Sequence, residues 1–184
     1  MKHSTSYTKT AITIHWLVAF LIIGTFPIGM IMSDLPFSPF KLQLISYHKW
    51  LGVTIFLLAI ARLSWRVTHT PPPLPSTMPT WQKHAANSLH HLIYILLFLI
   101  PITGWLMSSA KGFQTVYLGV FPLPDLIGKD KALGNLLEEV HQTLNFFFLG
   151  VIIVHVGAAL KHYFIDRDNI LGRMIPFLNK EQGK

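Results

Sequence analysis

His141 and His155 stand fourteen residues apart in an uncharged run from Val140 to Leu160. Both rings need partners there, because an ionisable side chain at membrane depth is costly unless it is paired. At about 1.5 Å of rise per residue the two imidazoles lie about 21 Å apart along a helix axis, most of a bilayer core of about 30 Å. Fourteen residues are also two heptads, so both rings stay near one face and point into a bundle interior. The chain has no cysteine, which removes disulfides, thiol nucleophiles, cysteine-ligated iron–sulfur clusters and covalent haem attachment through Cys-x-x-Cys-His. A metal centre in this chain must be held by histidine.

The elements that would position these rings follow from composition. Of the 184 residues 51% are hydrophobic and only 12% charged, with a mean hydropathy of +0.45, whereas an ordinary soluble domain is about one-quarter charged. The lipid bilayer is therefore the expected surrounding. Uncharged runs of 24 residues between Lys9 and Asp34, 27 between Lys83 and Lys111, and 21 between Glu139 and Lys161 are each long enough to cross it. A fourth segment contains Lys49 and Arg62 near its ends, where long cationic side chains can snorkel to the interface. It must return the chain between two clear spans. The expected fold is all-α, a transmembrane four-helix bundle in a single integral-membrane domain over residues 1–184, with helices at about 10–33, 42–65, 84–109 and 138–162.

The Pro-rich stretch TPPPLPSTMPT (70–80) cannot be helical and reads as a solvated connector. The longest loop, about 110–136, holds Gly112, Gly119, Pro122 and Pro124, and its Phe113, Tyr117 and Phe121 suggest packing on the membrane surface. A cleaved signal peptide is a weaker reading of the first run, which exceeds the usual apolar length and closes on no A-x-A-like site.

Charge bias sets the expected orientation. With the amino terminus in the cytoplasm, ten of the 15 Lys and Arg residues lie inside (Lys2, Lys9, Arg62, Arg66, Lys83, Lys161, Arg167, Arg173, Lys180, Lys184) and five outside (Lys41, Lys49, Lys111, Lys129, Lys131). Both termini are then expected to be cytoplasmic, in a multi-pass protein of the bacterial inner membrane. The net charge of +7 is spent at span ends rather than gathered on one face, so no nucleic-acid partner is expected.

That topology brings four histidines to two levels. His15 lies about five residues into the first helix and His155 six residues before Lys161 on the same, inner side. His48 and His141 open the second and fourth helices at the outer side. Two His–His pairs stacked through a four-helix bundle are what two bis-histidine haems b require, with an imidazole on each face of each iron. Zinc is the chemical competitor, but it prefers tetrahedral sets of closely spaced ligands. Isolated histidines that only hydrogen-bond a neighbouring helix are the bland alternative. Small residues would make room for a macrocycle, and Gly52, one turn after His48, and Gly157, beside His155, are the better candidates among Gly24, Gly29, Gly52, Gly104, Gly150 and Gly157. Helix contact alone explains many membrane glycines.

Other residues carry secondary expectations. His91 could replace His15 as ligand, bond a haem propionate or line a quinone site, and His90 precedes it. His162, at the inner surface, could deliver protons to a reduced quinone or serve as an anchor. Lys49, with Lys41 and Lys111, could make a positive mouth for an anion such as superoxide or for an acidic donor protein. Arg62, Arg66 and Lys161 could pair with propionates, although all six cations also suit ordinary interface anchors. His3, His69 and His84 look solvent-facing.

The chain resembles the bacterial cytochrome b561 family over nearly its whole length. The resemblance is carried by His15-Trp16, by His48-Lys49-x-x-Gly52 with Arg62 and Arg66, and by the Pro-rich connector. It continues through His91-Leu92-Ile93-Tyr94, Gly104, His141 and His155, and ends on Lys161-His162-Tyr163-Phe164-Ile165-Asp166-Arg167-Asp168. It implies a four-helix inner-membrane protein with two haems b that exchanges electrons with the quinone pool. It is similar in its helix logic to the cytochrome subunits of formate dehydrogenases and hydrogenases, whose fourth helix gives one ligand to each haem. By that carry-over His48 and His141 hold the outer haem, and His15 and His155 the inner. One type within the family oxidises periplasmic superoxide and passes the electron to ubiquinone.

The expected function is electron transfer through two haems b between a periplasmic donor, superoxide or a redox protein, and quinone. A membrane-anchor cytochrome relaying electrons for a separate dehydrogenase is the second expectation, and a haem-free structural or transport bundle the third.

Overall fold

The computed structural model describes residues 6–178; Lys2, His3, Lys180 and Lys184 lie outside the described residues. Four long helices follow one another as α1 (Lys9–Asp34), α2 (Pro39–Thr68), α3 (Thr80–Ala110) and α4 (Lys131–Lys161). All four are long and apolar enough to cross a membrane.

Local chemistry explains where each begins. Thr8, Ser38 and Asp130 stand just before α1, α2 and α4, and their side-chain oxygens accept from Ala11, Lys41 and Leu133 backbone N–H groups at 3.2, 3.2 and 3.0 Å. Each satisfies an amide that has no partner inside the helix. Pro39 opens α2, where its missing N–H costs nothing. α4 starts at Lys131, seven residues before the expected 138, because polar residues such as Asn135, Glu138 and Glu139 extend the helix beyond the uncharged run. α3 ends where Gly112 takes φ +72° and the chain turns back, with Phe113 N–H on the Ser108 carbonyl at 3.0 Å.

The helices alternate in direction, so one end of the bundle holds the start of α1 and the end of α4, and the other holds the α1–α2 and α3–α4 connections. We call these the terminal end and the loop end. At the terminal end Trp65 donates to Thr8 Oγ1 at 2.9 Å and Trp16 donates to the Met174 carbonyl at 2.9 Å. After α4 the chain makes one π-helical turn (His162–Asp166) and two short 3₁₀ turns (Leu171–Arg173, Pro176–Leu178). Arg173 donates to the Pro73 carbonyl at 2.6 Å, tying this tail to the connector.

The loop after α3 contains a minimal hairpin, β1 (Val116–Tyr117) with β2 (Phe121–Pro122). Trp50 and Trp105 donate to the Val116 and Pro124 carbonyls at 2.7 and 3.0 Å, and Thr54 meets the Tyr117 hydroxyl at 3.0 Å. Phe113 and Phe121 stay exposed.

Apolar side chains cover the outside of the bundle: Phe20, Ile23, Ile95 and Ile153 are each more than half exposed, which in water would be untenable and in lipid is ordinary. Inside, Val18, Ile55, Ala59, Ile93, Leu96, Leu97, Phe148 and Val151 form the buried core. Phe148 is midway in sequence between His141 and His155, so the core forms the layer between the two histidine levels.

Candidate functional site

Two of the four helices supply imidazoles at each level. At the loop end His48 of α2 and His141 of α4 face one another with ring centres 6.2 Å apart. At the terminal end His15 of α1 and His155 of α4 stand 6.4 Å apart. All four residues are half-buried. Two imidazoles sharing one iron, each at about 2.0 Å through a ring nitrogen, have centres about 6.3 Å apart. The donor set and its spacing therefore fit a six-coordinate haem iron at both tiers.

Among the described residues only His162, Asp166 and Asp168 form a group of three donor side chains with ligand atoms all within 4.8 Å. Neither tier thus offers the convergent set that zinc takes.

The loop-end pair is seated on backbone. His48 Nδ1 lies 3.3 Å from the Thr25 carbonyl of α1. His141 Nδ1 lies 3.0 Å from the Ile100 carbonyl of α3 and 3.1 Å from Thr103 Oγ1. Each carbonyl acceptor is followed four residues later by a glycine. A methyl group on Gly29 would stand 3.0 Å from His48 Cε1, and one on Gly104 would stand 3.0 Å from His141 Cε1. Only glycine lets the ring approach so closely without displacement. Gly52 and Gly157, the glycines favoured from sequence, face open space: a methyl group on either would meet nothing within 4 Å. Gly52 instead borders a cavity of about 290 Å³ that also touches His48, Ile55, Leu97, His141 and Phe148.

The terminal-end pair has different surroundings. His15 Nδ1 is buried without a hydrogen-bond partner. A third imidazole, His90 of α3, has its ring centre 5.4 Å from that of His155. Of the two adjacent histidines, His91, to which the sequence reading gave a secondary role, is exposed on α3, whereas His90 is half-buried and faces His155. A smaller cavity of about 100 Å³ opens here, lined by Thr8, Arg62, Trp65, Arg66, His90 and Tyr94 among others. Arg62 and Arg66 sit over the Tyr94 ring at 5.6 and 5.9 Å from its centre, a cation–π arrangement that holds both guanidinium groups in place. His69 stacks on Trp65 at 3.8 Å and borders the same cavity, while His84 is exposed.

The remaining cations divide. Lys49 donates to the Phe113 carbonyl at 2.8 Å and Lys41 to the Leu35 carbonyl at 2.7 Å, and among the described residues no carboxylate pairs with either. Lys111 is paired with Glu138 at 2.5 Å, which takes it out of the expected positive mouth. Lys161 is paired with Asp166 at 2.7 Å, which leaves Arg62 and Arg66 as the cations that border the terminal-end cavity. His162 Nδ1 meets Asp168 and Asp166 at 2.8 and 2.9 Å and so fastens the turn after α4.

The chain is similar to known proteins over nearly its whole length. A family model described as prokaryotic cytochrome b561 matches residues 6–177. Cytochrome b561 homolog 2 of Escherichia coli (strain K12) is 32% identical over 179 residues, 96% of this chain and 95% of the relative. Cytochrome b561 homolog 1 of the same organism is 27% identical, covering 92% and 97%. A probable superoxide oxidase CybB of Yersinia pestis is 28% identical, covering 92% and 96%. With four helices long and apolar enough to cross a membrane and that match over nearly its whole length, the chain belongs to the prokaryotic cytochrome b561 family of membrane proteins, in which haem carries electrons.

Proposed function

We propose that the protein moves electrons across the membrane through two haems b, from a donor at the loop end to quinone. The observation that carries this reading is the pair of ring separations, 6.2 and 6.4 Å, at two levels of one bundle. Bound haem b supplies reversible one-electron chemistry in a low-dielectric interior. His48 and His141 would ligate the loop-end iron, and His15 and His155 the terminal-end iron. Arg62 and Arg66, at the mouth of the smaller cavity, offer counter-charges for propionates. His90, Tyr94 and the same arginines make that cavity the best place for a quinone head group.

Lys49, immediately after His48, and Lys41 give the loop end positive charge with carbonyl rather than carboxylate partners. Such a field raises the local concentration of an anion and its encounter rate. Superoxide fits that chemistry, and a similar protein bears the name of a superoxide oxidase. Two superoxide anions then leave as two molecules of dioxygen and release two electrons, and quinone takes those electrons with two protons to become quinol. The loop end faces the periplasm in this reading.

The decisive experiment is a dithionite-reduced difference spectrum with haem quantification on wild type, His48→Ala and His141→Ala. Two haems per chain are expected in wild type and about one in each variant. Unchanged stoichiometry in both variants would remove the loop-end assignment. Reduction by superoxide alone supports the free-standing enzyme, whereas a redox partner that copurifies would assign the chain to the anchor role.

A further inference from the structure

The two tiers are built from the same ligands but are not equivalent. At the loop end, both rings present Nδ1 to a backbone carbonyl: His48 to Thr25 at 3.3 Å and His141 to Ile100 at 3.0 Å. A carbonyl only accepts, so Nδ1 carries the proton and Nε2 keeps its lone pair. Thr103 reinforces the second seat. Its hydroxyl donates to the Ile100 carbonyl at 2.8 Å, which leaves an oxygen lone pair for the ring N–H at 3.1 Å.

The two seats have a common plan. In α1 the acceptor Thr25 precedes Gly29 by four residues, and in α3 Ile100 precedes Gly104 by four. Pro27 and Pro101 lie between them. A proline removes one helix hydrogen bond and loosens the local turn, and the glycine clears the groove through which the ring reaches the carbonyl. α1 thus seats the histidine of α2, and α3 seats that of α4. The terminal end is built differently, since among the described residues His15 Nδ1 is buried with no partner. Instead Arg62 and Arg66 bring positive charge to that tier.

We propose that Thr25/Gly29 and Ile100/Gly104 are positioning seats that make the loop-end tier the lower in reduction potential. This rests on the haem ligation proposed above and goes beyond it by ordering the two sites. An imidazole that donates from Nδ1 to a fixed acceptor becomes a more basic ligand at Nε2 and favours ferric iron. An imidazole without an acceptor is the weaker donor, and neighbouring guanidinium charge favours the ferrous state. Both effects act in the same direction. The ordering requires that the two seats outweigh the single charge of Lys49, next to His48 and bound to the Phe113 carbonyl at 2.8 Å, and an electron entering beside His48 and His141 then moves downhill to His15 and His155. A purely structural role for the carbonyls, relieving buried N–H groups, would leave the potentials in no particular order.

Potentiometric titration of the full-length protein in detergent, followed at the haem α-band, separates the two. Wild type is expected to show two components. Gly104→Ala places a methyl 3.0 Å from His141 Cε1 and 3.4 Å from Nδ1, pushing the ring off its carbonyl. The lower component should shift upward while the upper stays in place, and Gly29→Ala should do the same through His48. Arg62→Gln should lower the upper component alone. Where a glycine variant loses a haem, disappearance of the lower component supports the ordering and disappearance of the upper overturns it. Coincident wild-type components, or a Gly104→Ala protein with two haems and an unmoved lower component, also overturn it. Failure of the underlying reading looks different, since wild type would then carry fewer than two haems.

Discussion

One residue of register separates His90 from His91, and it decides which imidazole belongs to the interior. A helix turns about 100° per residue, so adjacent side chains cannot share a face. In a soluble protein the polar neighbours of His91 would have revealed its outward direction, but the outside of a membrane helix is as apolar as its core. The sequence therefore offered two histidines and no pattern to choose between them. The same ambiguity hid Gly29 and Gly104 behind Gly52 and Gly157, because closeness in sequence to a histidine says nothing about which ring a neighbouring helix will receive. The Pro-x-Gly of α1 and the Pro-x-x-Gly of α3 were the signals that could have found them. Variants of the adjacent pair test the assignment. His90→Leu removes a ring 5.4 Å from that of His155 and should alter the low-spin ferric electron paramagnetic resonance signal of one haem while sparing the other. His91→Leu, on the exposed face, should leave both signals and the haem content unchanged. Equal effects of the two substitutions would return the interior role to neither.

At the scale of elements, long uncharged runs were enough to place three helices, since no other structure hides that many backbone amides from water, and the segment with Lys49 and Arg62 near its ends followed as the fourth because the chain must return between two of them. Their ends were less legible. α2 runs three residues past the expected limits at each end, and α4 begins seven residues early, because capping rather than hydropathy fixes a helix terminus outside the apolar slab. His141 is consequently the eleventh residue of α4 rather than its opening, and a solvent-side extension braces it. Asp130 holds that extension through the Leu133 amide at 3.0 Å. Asp130→Ala should cost about 1 kcal/mol and lower the midpoint of thermal haem release by about 2–4 °C for a chain of this size. Asp130→Asn, which keeps the acceptor, should sit near wild type. A midpoint unchanged in Asp130→Ala would show that helix packing alone fixes the start of α4.

For the molecule as a whole, the direction of electron flow depends on which end faces the cytoplasm. Among the described residues, seven Lys and Arg lie at the terminal end (Lys9, Arg62, Arg66, Lys83, Lys161, Arg167, Arg173) and five at the loop end (Lys41, Lys49, Lys111, Lys129, Lys131). Cationic residues near span ends are retained on the cytoplasmic side, so the bias favours the terminal end inside. The loop-end charge is further offset locally, with Lys111 held by Glu138, although acidic partners weigh little in topology. Under the proposed function, this orientation would put His48, His141 and Lys49 on the side where an external donor arrives, and Arg62, Arg66 and His90 on the cytoplasmic side, where a quinone bound beside them would take its protons. Reporter fusions check it directly. Alkaline phosphatase inserted in the loop between α3 and α4 should be active, and the same enzyme fused at the carboxyl terminus inactive, while a fluorescent protein that matures only in the cytoplasm should give the reverse. The opposite pattern would make the His15/His155 tier the one that meets an external donor. Electrons from that donor would then have to climb toward the seated pair, so orientation and potential order must be right together for the bundle to run from outside donor to quinone.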